Sequence, residues 1–250
     1  MVQWPSRSRW DSRRSPPARP SREPRGSPPA RAAAEPVSEA DDRPTGSSDG
    51  LVAGPDGRLR CAWCVGDELY MRYHDTEWGF PTHDDHRLFE KLCLEGFQAG
   101  LSWLTILRKR ENFRAAFCDF DHEKLAAFTE ADVQRLLADP GIVRHRGKIE
   151  ATIDNARAMS QLLEREGSLA EFVWRYRPDP ATRADPVTRE TVSSTTSTPE
   201  STALARELKG RGWRFVGPTT AYAFMQAMGL VNDHLEGCVT RAEVLRPSVR

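Results

Sequence analysis

Residues 88–97 read Leu88-Phe89-Glu90-Lys91-Leu92-Cys93-Leu94-Glu95-Gly96-Phe97. The recurrence of apolar side chains at Leu88, Phe89, Leu92, Cys93 and Phe97 has the three- and four-residue spacing of an amphipathic helix. A second run through Leu101, Leu104, Leu107, Phe113 and Phe117 continues the pattern, and residues 132–137 and 149–163 carry it further. Asp139-Pro140-Gly141 interrupts it, because proline brings no amide proton and glycine is a poor helix former. No long polar and apolar alternation competes, so the spacing predicts an all-α domain. Residues 177–200, rich in Pro, Ser and Thr, read as a long loop ending in Thr198-Pro199-Glu200. There Thr can cap a new helix and Pro can take its first position. The last helical pattern runs over about 219–228, with Gly229 as its stop.

Upstream the texture differs. Residues 1–54 are dominated by Pro, Arg, Ser and Ala, as in Ser15-Pro16-Pro17-Ala18-Arg19-Pro20, and show no apolar periodicity to offset their ordering entropy. They read as a disordered extension before a helical domain over 55–242 and a short tail over 243–250. The Arg-rich first half also suits a DNA-tethering arm or a transit segment, although its prolines oppose the amphipathic helix a transit peptide needs. A chain of 250 residues can bury a core without disulfide staples. Lys+Arg 36 balance Asp+Glu 36, so affinity for nucleic acid has to come from local patches. Five cysteines, an odd number spread thinly, fit reduced thiols or a metal site in a cytosolic protein better than a secreted disulfide framework. No apolar run reaches the roughly 18 residues of a membrane span, and the N-terminus lacks the apolar core of a secretory signal.

Cysteine and histidine offer three pairs of metal ligands: Cys61 with Cys64, Cys61 with His74, and His234 with Cys238. Spacing does not choose among them. His234 and Cys238 fall one turn apart if their segment is helical and can grip one ion. Two more ligands from the start of the domain would tie its first segment to its last. Such a filled shell leaves no open position for catalysis, which is the structural zinc role. The same residues also suit ordinary buried cysteines and a surface histidine.

Five ordered runs carry a resemblance. They are Tyr73-His74-Asp75 with Glu77-Trp78-Gly79; Leu94-Glu95-Gly96 with Gln98-Ala99-Gly100-Leu101-Ser102-Trp103; Arg144-His145-Arg146-Gly147-Lys148-Ile149; Phe215-Val216-Gly217; and Gly229-Leu230-Val231-Asn232-Asp233-His234. Over about residues 60–238 the chain resembles the DNA-3-methyladenine glycosylase I family. The resemblance implies a helix-hairpin-helix DNA glycosylase fold and hydrolytic release of 3-methyladenine from double-stranded, alkylated DNA, the first step of base excision repair. It implies one structural zinc on Cys61, His74, His234 and Cys238, with Cys64 a bystander, and a base pocket built from Tyr73, Trp78, Glu95 and Trp103. The enzyme is expected to act as a cytosolic monomer.

The chemistry suits those residues. A base inside a duplex has to be extruded and held between aromatic faces. Methylation at N3 leaves adenine cationic, so indole faces attract it and the Glu95 carboxylate can accept a hydrogen bond from its amine side. Core packing is the plainer role for a tryptophan and solvent contact for a helix glutamate, but the apolar and small residues around Glu95 point to burial. A cationic base leaves as a neutral molecule, so a strong general acid is unnecessary, and Glu95 is the residue assigned to the chemistry. Asp233 occupies a tempting position but stands beside a ligand and is not assigned. The segment Gly217-Pro218-Thr219-Thr220-Ala221-Tyr222 holds no lysine for a lyase step, which implies a monofunctional enzyme. The hairpin before the last helix offers free amides to a DNA phosphate at Gly217 and Thr219, and Arg144, Arg146 and Lys148 could add contacts. A zinc-stabilised DNA-binding module that recognises lesions without cutting is the alternative. A hydrolase using Cys93 lacks both a nearby base and an open metal position.

Overall fold

In the computed structural model, which describes residues 49–246, β1 (Leu51–Ala53) pairs antiparallel with β2 (Leu59–Cys61), placing Leu51 opposite Cys61. Helices follow: α1 (Glu68–Thr76), α2 (Asp85–Gln98), α3 (Trp103–Arg108), α4 (Arg110–Ala116), α5 (His122–Ala126), α6 (Glu130–Ala138), α7 (Arg146–Glu166), α8 (Leu169–Trp174), α9 (Arg189–Ser194), α10 (Pro199–Gly210), α11 (Pro218–Ala227) and α12 (Val239–Leu245). Side chains of Asp67, Asp84, Ser102, Asp121, Ser168 and Thr198 accept amide protons at the starts of α1, α2, α3, α5, α8 and α10. Each meets a donor that the helix itself cannot satisfy.

The quoted stretch forms the central helix. Every residue from Leu88 to Phe97 on α2 is buried, and α2 touches α3, α7, α8 and α11. A helix covered on all sides has to pair whatever charge it carries. Arg114 on α4 meets Glu90 at 2.8 Å, and Lys91 meets Glu95 one turn away at 2.7 Å. Phe97 packs on Phe113 and Phe117, with ring centroids 4.6 and 5.7 Å away. A buried phenyl of this kind contributes about 1.5–3 kcal/mol. Helices α10 and α11 pack on each other, and α11 also packs on α2.

The fold departs from the sequence expectations in several places. The molecule is mostly helical, yet a two-stranded sheet stands at its start. β1 falls inside the expected extension, and Leu51 is buried in a small cluster with Cys61, Val187, Leu235 and Cys238. The apolar run Leu51-Val52-Ala53, closed by Gly50 and Gly54, is too short to show a periodicity. Residues 1–48 of that extension and 247–250 of the tail lie outside the described residues. Helix α12 runs across the expected boundary at 242, so the pattern ending at Gly229 is not the last helix. The run from Leu101 to Phe117 is two helices that meet at Lys109, and Leu101 is exposed rather than in the core. The 177–200 loop contains α9 and a short 3-10 turn over Pro180–Thr182. Among the described residues no helix is long and apolar enough to cross a membrane.

Candidate functional site

Two centres share α1. Its C-terminal turn carries Tyr73 and His74 side by side, and each belongs to a different cluster. Ligand atoms of Cys61, His74, His234 and Cys238 all lie within 4.8 Å of one another, and all four residues are buried. Nδ1 of His234 is 3.0 Å from Nε2 of His74, and Sγ of Cys238 is 3.5 and 3.7 Å from those nitrogens. A tetrahedral zinc with ordinary bond lengths would separate its ligand atoms by about 3.3–3.8 Å. The other ring nitrogens are already engaged: Nδ1 of His74 with Asp75 at 2.8 Å, and Nε2 of His234 with the Trp78 carbonyl at 2.9 Å. That leaves Nε2 of His74 and Nδ1 of His234 facing the centre, as metal ligands with fixed tautomers would. The hydrogen bond from the Cys61 thiol, joined by the two imidazoles, holds Cys238 far below the usual thiol range, while the same bond and burial push Cys61 up.

Cys64 stands outside this set. Its thiol points at the Cys61 carbonyl, 3.2 Å away, and burial pushes it up to about 12. Gly79 explains its place in the Tyr73–Gly79 run: it has φ of 86°, and a Cβ there would sit 2.9 Å from Nε2 of His234. At Gly229, with φ of 76°, a side chain would run into the backbone of Phe80 and Pro81.

The second cluster joins Tyr73, Glu95 and Trp103, which lie on three helices and are all buried. The rings of Tyr73 and Trp103 are tilted, with centroids 5.5 Å apart. Lys91 holds the group together. Its Nζ lies 2.7 Å from Glu95 Oε1, donates to the Tyr73 hydroxyl at 3.0 Å, and stands 3.1 Å from the centroid of the Trp103 ring. The sequence reading passed over Lys91. Its four-residue spacing to Glu95 is the one that ordinary exposed ion pairs on helices share, and α2 also carries Asp85, Arg87 and Glu90, so nothing marks it. The indole N–H of Trp103 is buried with no acceptor among the described residues. A cavity of about 40 Å³ beside Lys91 is bordered by Tyr73, Glu77, Glu90, Trp103 and Arg110, and Arg110 grips both oxygens of Glu77 at 2.5 and 3.0 Å.

Trp78 is placed differently from the other three. It is half-buried against the Cys/His cluster, with its ring edge-on to His234 at 4.6 Å and to Trp63 at 5.1 Å. Trp63, also missed from the sequence, is 39% exposed at this rim. It lies two residues after Cys61 in no periodic pattern, so only its neighbours reveal it.

The expected DNA contacts fare unequally. Gly217 caps α11, and Thr219 is exposed in its first turn. His145 accepts the amide of Lys148 to cap α7, and its ring lies 6.4 Å from that of exposed Phe215, so the starts of α7 and α11 adjoin. Arg144 is exposed and makes no ion pair among the described residues. Arg146 is exposed but engaged by Glu130 and Glu150. Lys148 is a correction. It is buried, and its ammonium donates to the carbonyls of Phe97 and Ala99 at 2.9 and 2.6 Å, closing the C-terminal end of α2. Asp233 is also occupied, by the hydroxyl of Tyr222 at 2.6 Å, the amide of Gln226 at 2.9 Å, and Arg183. Burial pushes the Cys93 thiol well up, which disfavours it as a nucleophile.

The methyladenine glycosylase family model matches residues 63–242. DNA-3-methyladenine glycosylase 1 of Escherichia coli (strain K12) is 53% identical over 181 residues, covering 72% of this chain and 95% of that protein. DNA-3-methyladenine glycosylase of Haemophilus influenzae is 46% identical over 180 residues, covering 72% and 96%. A crystal structure of 3-methyladenine DNA glycosylase I superposes with a TM-score of 0.67 at 51% identity, covering 72% of this chain and 98% of that one. The Staphylococcus aureus enzyme, solved for the structural basis of its 3-methyladenine recognition, gives 0.67 at 38% identity, covering 73% and 96%.

Proposed function

The chain belongs to the methyladenine glycosylase family, and from that premise we propose that it is a DNA glycosylase that hydrolyses the N-glycosidic bond of 3-methyladenine in alkylated DNA. One observation carries the reading to particular residues: Tyr73, Glu95 and Trp103, on three successive helices, converge on one buried point.

At that point the extruded base stacks on the Trp103 face, and its positive charge meets the Glu95 carboxylate. The unpaired indole N–H of Trp103 is a donor that an acceptor on the base would satisfy. Cleavage breaks the bond between C1′ and N9. The electron pair neutralises the departing base, water adds its oxygen to C1′, and a proton leaves to solvent. Leaving-group protonation is not required, so the site acts by positioning and electrostatics. Trp78 and Trp63 form the aromatic rim.

The pair α10 and α11 would act as the helix-hairpin-helix element, with a phosphate of double-stranded DNA on the amides at Gly217 and Thr219 and with Arg144 and Arg146 nearby. Lys148 is withdrawn from this set. The four-ligand shell is closed, so the metal we assign to it, one zinc, supplies structure alone: it clamps the strand β2 and helix α1 to the C-terminal segment. The protein would work as a cytosolic monomer, with residues 1–48 dispensable for base release.

The test is to incubate the protein with DNA methylated by a simple alkylating agent and to identify the released bases. Release of 3-methyladenine with the strand left unbroken is expected. No release from DNA that a known glycosylase can process would overturn the proposal, and strand cleavage would overturn its monofunctional part.

A further inference from the structure

We propose that the Lys91 ammonium is a resident occupant of the base site, and that it sets selectivity by admitting only a base that can take over its partners. The inference rests on the pocket reading given above and goes beyond it.

Lys91 is 5% exposed, and its three contacts all belong to residues assigned to the base pocket: the Glu95 carboxylate, the Tyr73 hydroxyl and the Trp103 face. A purine stacked on Trp103 needs the layer about 3.5–4.0 Å above the ring, and the ammonium lies within it at 3.1 Å. The cavity beside Lys91, about 40 Å³, has room for about one water. Base and ammonium therefore exclude each other.

The exchange is uneven for different bases. A cationic base that displaces Lys91 returns a positive charge to Glu95, so the buried carboxylate stays paired. A neutral base leaves that carboxylate without a cation, and breaking a buried ion pair on one side is strongly unfavourable. Burial disfavours the ammonium at Lys91 while Glu95 supports it, so the pair is held by the partner and not by the site. Glu77 and Glu90 border the same cavity, which gives the displaced side chain other carboxylates to approach.

The test uses two small ligands, 9-methyladenine, which is neutral, and 3,9-dimethyladeninium, which carries the charge of the methylated nucleoside. Their binding to the full-length protein is followed by tryptophan fluorescence. The unaltered protein is expected to prefer the cation by about tenfold or more, the worth of a charge-assisted hydrogen bond. Lys91→Met, which has no ammonium to expel, is expected to bind 9-methyladenine about tenfold more tightly than the unaltered protein does. Equal or weaker binding of the neutral base by Lys91→Met overturns the proposal.

A second measurement needs no substitution. The ammonium protons of Lys91, followed by nitrogen-15 lysine labelling, are expected to be protected from exchange in the free protein and to lose that protection when the cation binds. Protection that persists in the complex also overturns the proposal. Trp103→Ala separates this failure from failure of the pocket itself: if it binds both ligands as the unaltered protein does, the base site lies elsewhere and both readings fall.

Discussion

Oδ1 of Asp75 lies 2.8 Å from Nδ1 of His74, and the same carboxylate receives the Arg60 guanidinium, which is anchored in turn by Asp56. An outer partner of this kind fixes the ring of a ligating histidine and raises its basicity. The Cys/His cluster is thereby tied to the turn between β1 and β2.

Asp75→Asn is expected to weaken metal retention about 10–100-fold, read as metal content after dialysis against a graded chelator. Cys238→Ser removes a ligand outright, so metal content and Tm should fall together. Full stoichiometric metal in Cys238→Ser would sink the ligand set.

Glu95→Gln keeps the shape of the side chain and removes its charge. Release of 3-methyladenine from DNA should slow by the worth of a charged hydrogen bond, about 1.5–3 kcal/mol. Binding of free, neutral 3-methyladenine should suffer less. Both are measured on one preparation, with circular dichroism to exclude misfolding, and a parental release rate would remove Glu95 from the chemistry.

The Glu77 and Arg110 pair gives a pH dependence. Burial pushes the Glu77 carboxyl up, but the hydrogen bonds from Arg110 outweigh it and hold the group below its ordinary 4.5. A folded-state value lower than the unfolded one means that the unfolded chain binds the proton more readily. The stabilisation is therefore complete above 4.5 and is lost as the pH falls from there through the folded value. Glu77→Gln should lower Tm near neutral pH, and the gap to the unaltered protein should close in acid. A gap independent of pH would show that the charge is immaterial.

Lys148 and Arg144 stand four residues apart and should behave oppositely. Lys148→Met leaves the Phe97 and Ala99 carbonyls short of a donor and should cost about 1–3 kcal/mol of stability, with no change in the salt slope of DNA binding. Arg144→Ala should leave stability within about 0.5 kcal/mol and reduce that slope by about 0.9. Salt titrations of both variants decide it, and a lowered slope for Lys148→Met would return it to the DNA interface.

Leu51→Ala tests whether the first strand belongs to the fold. It removes a buried side chain from the cluster with Cys61 and Cys238, so a loss of about 2–5 kcal/mol is expected in denaturant melts. Unchanged stability would place β1 outside the cooperative unit.

What the sequence determined by itself was local. The spacing of Leu88, Phe89, Leu92 and Phe97 fixed an amphipathic helix, Asp139-Pro140-Gly141 fixed the end of α6, and Thr198-Pro199 fixed the start of α10, because periodicity and capping act within one or two turns; that α2 is covered on every side came from its neighbours. Spacing alone left Cys61, Cys64 and His74 as open alternatives. Only the tertiary structure turns the Cys64 thiol onto the Cys61 carbonyl and brings His74 beside His234. The same holds for the lysines. Nothing in the string separates Lys91 and Lys148 from solvated helix charges, since a side chain becomes buried through segments beyond its own helix that close over it. Trp103 closes over Lys91, and the Phe97 and Ala99 carbonyls receive Lys148.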